Sequence, residues 1–598
     1  MENGKNLLLT IVLSVGVLLL WQVFFINPRL EAERQAQIEQ AELQTSTEEG
    51  LPAAAVSGDA GIPQAVAGDG IASLDTEAAI STGARVAIET ETLSGSINLA
   101  GARIDDLSLK QYRQENEDGS PIVELLKPTG GTNAYFAEFG YAGFEGAPAA
   151  EAVWTAPAGA TLTATTPVTL SYTAGDLTFE RTISVDDRYM FTFADTVTNG
   201  GVGATSLQNY GRVTRYFKPA VPSIFILHEG MIGVTGEEGL QEHSFGDMED
   251  EPRITPGKSN DGWVGITDKY WAAALIPEQG TTFQPRYAYF DQGAVRWQSD
   301  FLADPIVINA GQSATVTNRL FAGAKVSSMI DDYEADLGIR SFELLIDWGW
   351  LYFITKPMFQ VLDWLFKLVG NFGVAILLLT VAVKAVFFPL ANKSYASMAR
   401  MKVVQPQMQE IKERHGDDRE KLQKAMMELY KKEKINPIAG CWPILIQIPV
   451  FFALYKVLFV TIEMRHAPFF GWIQDLSAPD PTSIWELFGL IPWGAAEILP
   501  AFLLLGIWPI VMGITMFVQM QMNPAPPDPT QQMIFRWMPV IFTFMLATFP
   551  AGLVIYWAWN NFLSILQQGV IMKKNGADIA LWDNIRGMFS KKAKDGGT

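Results

Sequence analysis

Six apolar runs stand out in the hydropathy pattern of the chain, each close to the length of a membrane-spanning helix. They cover residues 7–26, 375–390, 442–460, 502–522, 533–549 and 552–571. A helix needs about 20 mainly apolar residues to cross a bilayer, so the pattern predicts six transmembrane helices. The first run ends in FFINPRLEAER without a small-residue cleavage site, which favours an uncleaved anchor over a signal peptide.

A long polar region separates the first run from the second. Residues 30–82 are rich in Ala, Gly, Gln and Glu without periodicity, which predicts a flexible linker. In residues 83–337, segments such as DLTFERTISV alternate apolar and polar side chains between Gly, Asn and Asp, and this pattern predicts an all-β sandwich. Residues 338–369 mix apolar and charged side chains, which is typical of an amphipathic helix in the membrane interface, here broken near Pro357.

The segment 393–437 is predicted to form a helical hairpin. Apolar residues recur at helical spacing in both of its halves: Met401, Val404, Met408 and Ile411, then Leu422, Met426 and Leu429. Between them HGDD supplies a Gly stop and an Asp start, and Pro406 should kink the first helix. Two interpretations stay open: a solvated structural element, or a docking arm that contacts the ribosome or targeting factors through its basic excess.

The distribution of charge predicts an orientation. The first 345 residues carry a net charge of −25 and the rest carry +5. The hairpin segment and the tail 573–598 are basic, whereas the loop 462–500 is acidic. Because Lys and Arg concentrate in cytoplasmic loops, both termini are expected in the cytoplasm and the β domain outside it.

Composition excludes several classes of function. Cys441 is the only cysteine, so the chain has no intrachain disulfide. No P-loop, metal-ligand set or nucleophile motif occurs, so neither an enzyme activity nor a cofactor is expected. His228 and His243 are isolated and are expected to be structural or exposed. The acidic first half lacks a nucleic-acid footprint, so no specific nucleic acid is expected as a partner.

Lys384 places a full charge inside the apolar run AILLLTVAVKAVFFPL. A charge at membrane depth costs roughly 2.5–3.5 kcal/mol on insertion scales. Because Lys384 lies shortly before a break expected at Pro389, its ammonium group could simply reach the interface. The functional alternative is a charge that faces a water-filled groove.

Several long sequence motifs lie in and beside the apolar spans. They are DWGWLYFITKPMF (347–359), LTVAVKAVFFPL (379–390), INPIAGCWPILIQIPVFFALY (435–455) and DPTQQMIFRWMPVIFTFMLATFPAGLVIYW (528–557). These motifs resemble the YidC/Oxa/Alb family of membrane protein insertases. GWVGITDKYWAAALIP (262–277) resembles the periplasmic domain of its Gram-negative form.

The resemblance implies a hydrophilic groove among the last five spans, open to the cytoplasm and to lipid. Its single positive charge matches Lys384, and a Thr one turn earlier matches Thr380. The family more often has Arg at the charged position, and Lys keeps the charge but loses the bidentate fork. Polar residues in the third and sixth spans either line the same groove or join helices to one another: Gln447, Asn560 and Asn561.

The resemblance also implies an apolar slide along which a nascent helix leaves. The matching residues are Ile448, Pro449, Phe451, Phe542, Phe544 and Met545. Ordinary packing residues would look the same, so both interpretations stay open. Lys456 and the long outer loop 482–500 depart from the family pattern.

The expected architecture is a multi-domain protein of the bacterial inner membrane. Six transmembrane helices, five of them forming the insertase bundle, accompany a periplasmic all-β sandwich and a cytoplasmic hairpin. The predicted segments are the anchor 1–29, the linker 30–82, the sandwich 83–337, the interfacial helix 338–369, the second transmembrane helix 370–392, the hairpin 393–437, transmembrane helices three to six 438–572, and the tail 573–598.

The implied function is that of an insertase and chaperone for inner-membrane proteins, alone or with the Sec translocon. Its implied partners are nascent membrane proteins, the ribosome and signal-recognition targeting factors, and membrane lipids. One alternative is a secondary transporter, which would require an internal repeat. The other is a membrane-anchored periplasmic binding module, which explains the β region but not five further spans.

Overall fold

A sheet-rich domain and a helical region follow one another along the described part of the chain. The computed structural model describes residues 76–81, 83–117, 119–131, 133–142, 147–219, 227–291, 294–415, 418–433, 442–491, 494, 498–500, 503–523 and 529–575. All of these residues belong to one compact unit, Ile62–Thr598. The predicted anchor, most of the linker, Cys441 and most of the basic tail lie outside the described residues.

Nineteen strands occur within the described ranges. They are β1 Arg85–Glu89, β2 Leu93–Asn98, β3 Arg103–Arg113, β4 Ile122–Leu126, β5 Tyr135–Ala142, β6 Thr161–Leu162, β7 Val168–Ala174, β8 Leu177–Val185, β9 Met190–Asn199, β10 Thr205–Arg215, β11 Gly230–Thr235, β12 Gly239–Ser244, β13 Arg253–Ile254, β14 Gly262–Thr267, β15 Trp271–Ile276, β16 Phe283–Phe290, β17 Arg296–Ala303, β18 Ile306–Ile308 and β19 Ser313–Ala324.

These strands form two packed sheets. The larger has the order β13-β16-β17-β10-β5-β3-β2-β1-β6, with β18 beside β10 and β4 beside β3; the smaller has the order β12-β11-β14-β15-β19-β9-β8-β7. The ring centroids of Phe139 on β5 and Phe193 on β9 lie 4.7 Å apart across the core between the sheets. Burial alternates along β8 as its sequence LTFERTISV predicts. The predicted all-β sandwich is confirmed.

Twelve α-helices occur in the same ranges. They are α1 Thr76–Ile80, α2 Phe245–Asp250, α3 Ser327–Leu337, α4 Tyr352–Val369, α5 Phe372–Val386, α6 Phe388–Val403, α7 Gln405–His415, α8 Arg419–Lys432, α9 Trp442–Val460, α10 Ile507–Met522, α11 Pro529–Met545 and α12 Ala551–Lys574. Short 3₁₀ turns cover Phe342–Leu345, Ile462–Met464, Ile484–Gly489 and Leu546–Thr548.

Local sequence explains where the helices around the second apolar run begin and end. Gly370 has φ +71°, the left-handed conformation that glycine adopts easily, and it ends α4. Asn371 then caps α5 by accepting the Val374 N–H at 3.0 Å. Pro389 lies in the first turn of α6, where a missing N–H costs little. The chain therefore bends between α5 and α6, as the break expected at Pro389 requires.

The two other proline predictions have opposite outcomes. The first hairpin helix is interrupted at Val404, two residues before Pro406, as expected from the restricted backbone before proline. The predicted break near Pro357 is wrong, since α4 runs without interruption from Tyr352 to Val369. Little more than one turn precedes Pro357, so the proline lies near the start of the helix and does not divide a longer one.

A bilayer crossing requires a helix of about 20 mainly apolar residues. Among the described residues, no single helix is long and apolar enough to cross a membrane, but α5 and α6 together pass that test as a pair bent by 69°.

Asp347 joins the β domain to the helical region. Its carboxylate accepts the backbone N–H of His228 at 2.8 Å and the Lys456 ammonium at 2.6 Å. His228 lies just before β11, and Lys456 lies in the last turns of α9. The side chains of Asp347 and Lys456 are only 11% and 12% exposed. Lys456, which departs from the family pattern, is therefore paired with a residue more than 100 positions earlier in the chain.

Asp347→Ala should lower the free energy of unfolding by on the order of 2–3 kcal/mol, because it leaves Lys456 and the His228 N–H without their buried acceptor. Asp363→Ala is the matched control, since it removes an i,i+4 pair on α4 whose lysine, Lys367, is 67% exposed, and it should change stability by less than about 0.5 kcal/mol. Thermal unfolding of both variants tests this. Equal midpoints for the two variants would contradict it.

Glu463 forms a second contact between the two regions. One carboxylate oxygen accepts the Ser327 N–H at the start of α3 at 3.0 Å, and the other is buried without a hydrogen-bond partner among the described residues. Burial raises the pKa of Glu463 to about 7, against the lowering effect of that hydrogen bond.

Stability should therefore fall as pH rises from about 5 to about 8, since folding holds a proton on Glu463 that the unfolded chain has lost. Glu463→Gln keeps an acceptor for Ser327 and cannot ionise. This substitution should therefore remove a pH-dependent loss of on the order of 2 kcal/mol in the free energy of unfolding. Thermal midpoints at pH 5 and pH 8 measure it, with exposed Glu180→Gln as the control. A wild-type pH profile in Glu463→Gln would exclude this role.

Candidate functional site

Lys384 lies where α5, α9 and α12 meet. Its ammonium donates to the Ser564 hydroxyl at 2.8 Å, and that hydroxyl donates to the Asn560 carbonyl at 2.8 Å. Residues four apart share one face of a helix, so Asn560 and Ser564 both face α5. No carboxylate among the described residues lies within ion-pair distance of Lys384. The positive charge is therefore held by neutral groups and is open to an acidic ligand.

Two adjoining cavities surround this lysine and share Val383, Lys384, Gln447 and Val450. The first has room for about one water molecule, and the second is about four times larger. The polar groups of the first come from Thr380, Lys384, Gln447, Tyr556 and Asn560. Those of the second come from Lys384, Tyr395, Gln447 and Gln567. Together they form a polar strip from the middle of α5 to α6.

Unused hydrogen-bonding capacity remains in this strip. Asn560 Oδ1 and Gln567 Nε2 are buried and have no partner among the described residues. Buried polar atoms are nearly always hydrogen-bonded in folded proteins, so these two atoms are suited to water or to a polar group of a bound molecule. The Gln447 amide donates to the Tyr556 hydroxyl, and this bond joins α9 to α12.

The predicted groove residues do not all face the same way. Thr380, Lys384, Gln447 and Asn560 line one cavity. The Thr380 hydroxyl donates to the Ile376 carbonyl of its own helix at 2.7 Å, so it is already satisfied. Asn561 lines neither cavity; its amide lies 3.5 Å from the Thr515 hydroxyl of α10. Asn561 therefore contacts a neighbouring helix, Asn560 lines the cavity, and Gln447 does both, since it also bonds to Tyr556 of α12.

The predicted slide residues divide into two groups. Ile448 on α9, and Phe544 and Met545 at the end of α11, are 43%, 36% and 47% exposed. Phe451 and Phe542 are half-buried and pack on Trp557 of α12, with centroid distances of 4.4 Å and 6.4 Å. Pro449 is half-buried within α9. Exposed apolar side chains therefore occur on both α9 and α11, and the two half-buried rings pack on α12.

Sequence reasoning missed four residues of this site: Ser564, Tyr556, Tyr395 and Gln567. A usable signal was present for two of them. Asn560, Ser564 and Gln567 follow each other at spacings of four and three in an apolar helix, which is the repeat of one helix face. The tyrosines carried no such signal, since an aromatic residue in an apolar run is equally expected in a core.

Comparison with known proteins gives matches along nearly the whole chain. The family model described as "60Kd inner membrane protein" matches residues 364–578, and the model "YidC periplasmic domain" matches residues 85–361. A protein of Mesorhizobium japonicum named "Membrane protein insertase YidC" is 59% identical over 602 residues, covering 99% of each chain. A protein of the same name from Brucella suis biovar 1 is 56% identical over 611 residues, covering 100% of each.

A solved structure of an active YidC insertase with its first transmembrane domain resolved is 16% identical. Its TM-score is 0.33, and the alignment covers 81% of this chain and 91% of that one.

Proposed function

This chain belongs to the YidC family of membrane protein insertases, and from that premise we propose how it performs insertion. Insertion of proteins into the inner membrane, with nascent membrane proteins as substrates and a periplasmic domain beside the helical region, follows from the family. The transporter and the anchored binding module are set aside on the same ground.

We propose that Lys384 is the single positive charge of the hydrophilic groove. The groups around it support this assignment. Lys384 is a half-buried cation that donates to Ser564 of α12 and shares a cavity with polar groups of α5, α9 and α12, with no acidic partner among the described residues. An acidic segment of a substrate would supply that partner. Electrostatic attraction between unit charges about 4 Å apart is several kcal/mol at the dielectric of such a site. Thr380, Gln447 and Asn560 extend the polar surface along which the segment lies.

The exposed apolar surface of Ile448, Phe544 and Met545 is proposed as the exit for the substrate helix. Transfer of that helix to lipid supplies the driving free energy, about 25 cal/mol per Å² of apolar area removed from water. The groove lowers the barrier for the polar flank, and no covalent chemistry is required of the chain.

The orientation predicted from charge completes the proposal. The six predicted spans place both termini and the α7–α8 hairpin in the cytoplasm, and the β domain in the periplasm. The basic hairpin would then meet the ribosome or targeting factors, and the Sec translocon is the proposed membrane partner.

Depletion of the protein in its own cells tests this function. Newly made small membrane proteins with acidic translocated segments should lose protease-resistant insertion, and a plasmid copy of the wild-type chain should restore it. Proteins that insert through Sec without acidic segments serve as the internal control. Normal insertion of the acidic class after complete depletion would overturn the proposal.

A further inference from the structure

A cavity of about 520 Å³ lies between the β domain, the start of α4 and the last turns of α9. Ligand pockets in proteins usually measure roughly 300–1,000 Å³. The cavity shares no lining residue with the two cavities around Lys384, so it is a separate site. Its lining includes His228, Glu242, Asp347, Trp350, Phe452 and Lys456.

One end of this cavity is polar, and one of its carboxylates has no ion-pair partner among the described residues. Asp347 and Lys456 form an ion pair at 2.6 Å. Burial lowers the pKa of His228 to about 4, so its imidazole is neutral at neutral pH. Lys325 is fully buried behind the wall and donates to the Thr267 hydroxyl at 2.9 Å. Lys325 and Glu242 on β12 carry opposite charges, but no ion pair among the described residues joins them, so the Glu242 carboxylate lacks a direct partner.

Glu242 is also open to a ligand. Its side chain is exposed to the cavity, and it forms no ion pair or hydrogen bond with any residue of the described ranges. A carboxylate at the wall of a cavity attracts a cation that can donate hydrogen bonds. A primary ammonium group has both properties.

The other end of the cavity is apolar and continues onto exposed surface. Phe452 is 45% exposed and Trp350 is 84% exposed. Beyond them the exposed apolar stripe of α4 contains Phe353, Trp364 and Leu368, and Ile448 lies one turn from Phe452 on α9. The space therefore fits a molecule with a cationic polar head and a long apolar tail.

We propose that this cavity binds a phospholipid whose head group carries a primary amine. The ammonium group lies against Glu242, the phosphate lies toward Lys456, and an acyl chain follows Phe452 and Trp350 out of the cavity. The proposed orientation places these residues at the periplasmic surface of the bilayer, where such head groups lie. The β domain and the bundle would then share a lipid at their junction.

Native mass spectrometry of the full chain in detergent tests the proposal with two probes of identical acyl chains, phosphatidylethanolamine and phosphatidylcholine. The quaternary amine of the second cannot donate hydrogen bonds. The wild-type chain should bind the primary amine about tenfold more tightly. Glu242→Gln should abolish that preference, and Glu242→Asp should reduce it while retaining the charge. Glu237→Gln, in the turn before β12, is the matched control and should behave as wild type.

Three results would overturn the proposal. They are equal affinity for both lipids, an undiminished preference in Glu242→Gln, and displacement of the lipid by free ethanolamine at an equal concentration, which would indicate a soluble-amine site. Thermal midpoints of the variants confirm that the comparison is made on folded protein.

Discussion

Lys384→Ala should lower insertion of substrates with acidic translocated segments by about tenfold or more, because it removes the one cation of the polar strip. Lys384→Arg should insert the same substrates at near the wild-type rate. Both side chains carry the charge, and Ser564 is a single acceptor that does not require a bidentate fork. Insertion is measured as protease protection of the translocated segment in vesicles made from cells that carry only the variant.

Lys367→Ala is the control for the loss of a positive charge elsewhere in the helical region. Lys367 lies on α4, is well exposed and pairs with Asp363, so its removal should leave insertion unchanged. Substrates with neutral translocated segments form the second control and should be little affected by Lys384→Ala. If Lys384→Ala inserts acidic and neutral substrates as well as wild type does, the charge has no role in capture.

Deletion of residues 400–432 should abolish insertion while the remaining helices stay folded. The hairpin has its own small core, in which Val404, Met408 and Leu429 are buried against each other. It is thus a separable element, and the two interpretations left open by the sequence differ in what its surface does. A docking arm requires its exposed basic residues, whereas a structural element requires only its core.

A substitution variant separates these interpretations without a deletion. Changing Lys412, Arg414, Lys424, Lys431 and Lys432 to Gln leaves the core residues in place and removes five exposed positive charges. The docking interpretation predicts a loss of insertion nearly as large as the deletion produces, together with weaker ribosome co-sedimentation that becomes insensitive to salt. Wild-type insertion in this variant, with loss only in the deletion, would leave the hairpin as structure alone.

The periodicity and the length of apolar segments were sufficient to predict much of the fold. The alternation in LTFERTISV predicts the strand β8, and the apolar run 442–460 has the same limits as α9. Both signals are local, since they arise from which face or which length of chain is buried. Pro357 shows where a local rule fails. The expected break assumed that the helix begins well before the proline, whereas α4 begins only at Tyr352.

Contacts between distant segments could not be predicted in the same way. Lys456 looks like an isolated charge in its own span, and its partner Asp347 becomes adjacent only when the β domain packs on α9. Asn560 and Asn561 are neighbours in sequence, and only the rotation of α12 decides that one faces the cavity and the other faces α10. The charge at Lys384 was visible in the sequence, but its hydrogen bond to Ser564 depends on the bundle.

The most direct test of the account is the water accessibility of α9 and α11. Single cysteines are placed along residues 442–460 and 533–549 in a Cys441→Ser background and treated with a membrane-impermeant maleimide from the cytoplasmic side. A groove predicts reaction from the cytoplasmic end to about the level of Val450, and protection at Val457 and Leu458, which are 0% and 1% exposed. Uniform protection along both helices would show a closed, dry bundle and would contradict insertion through a hydrophilic groove.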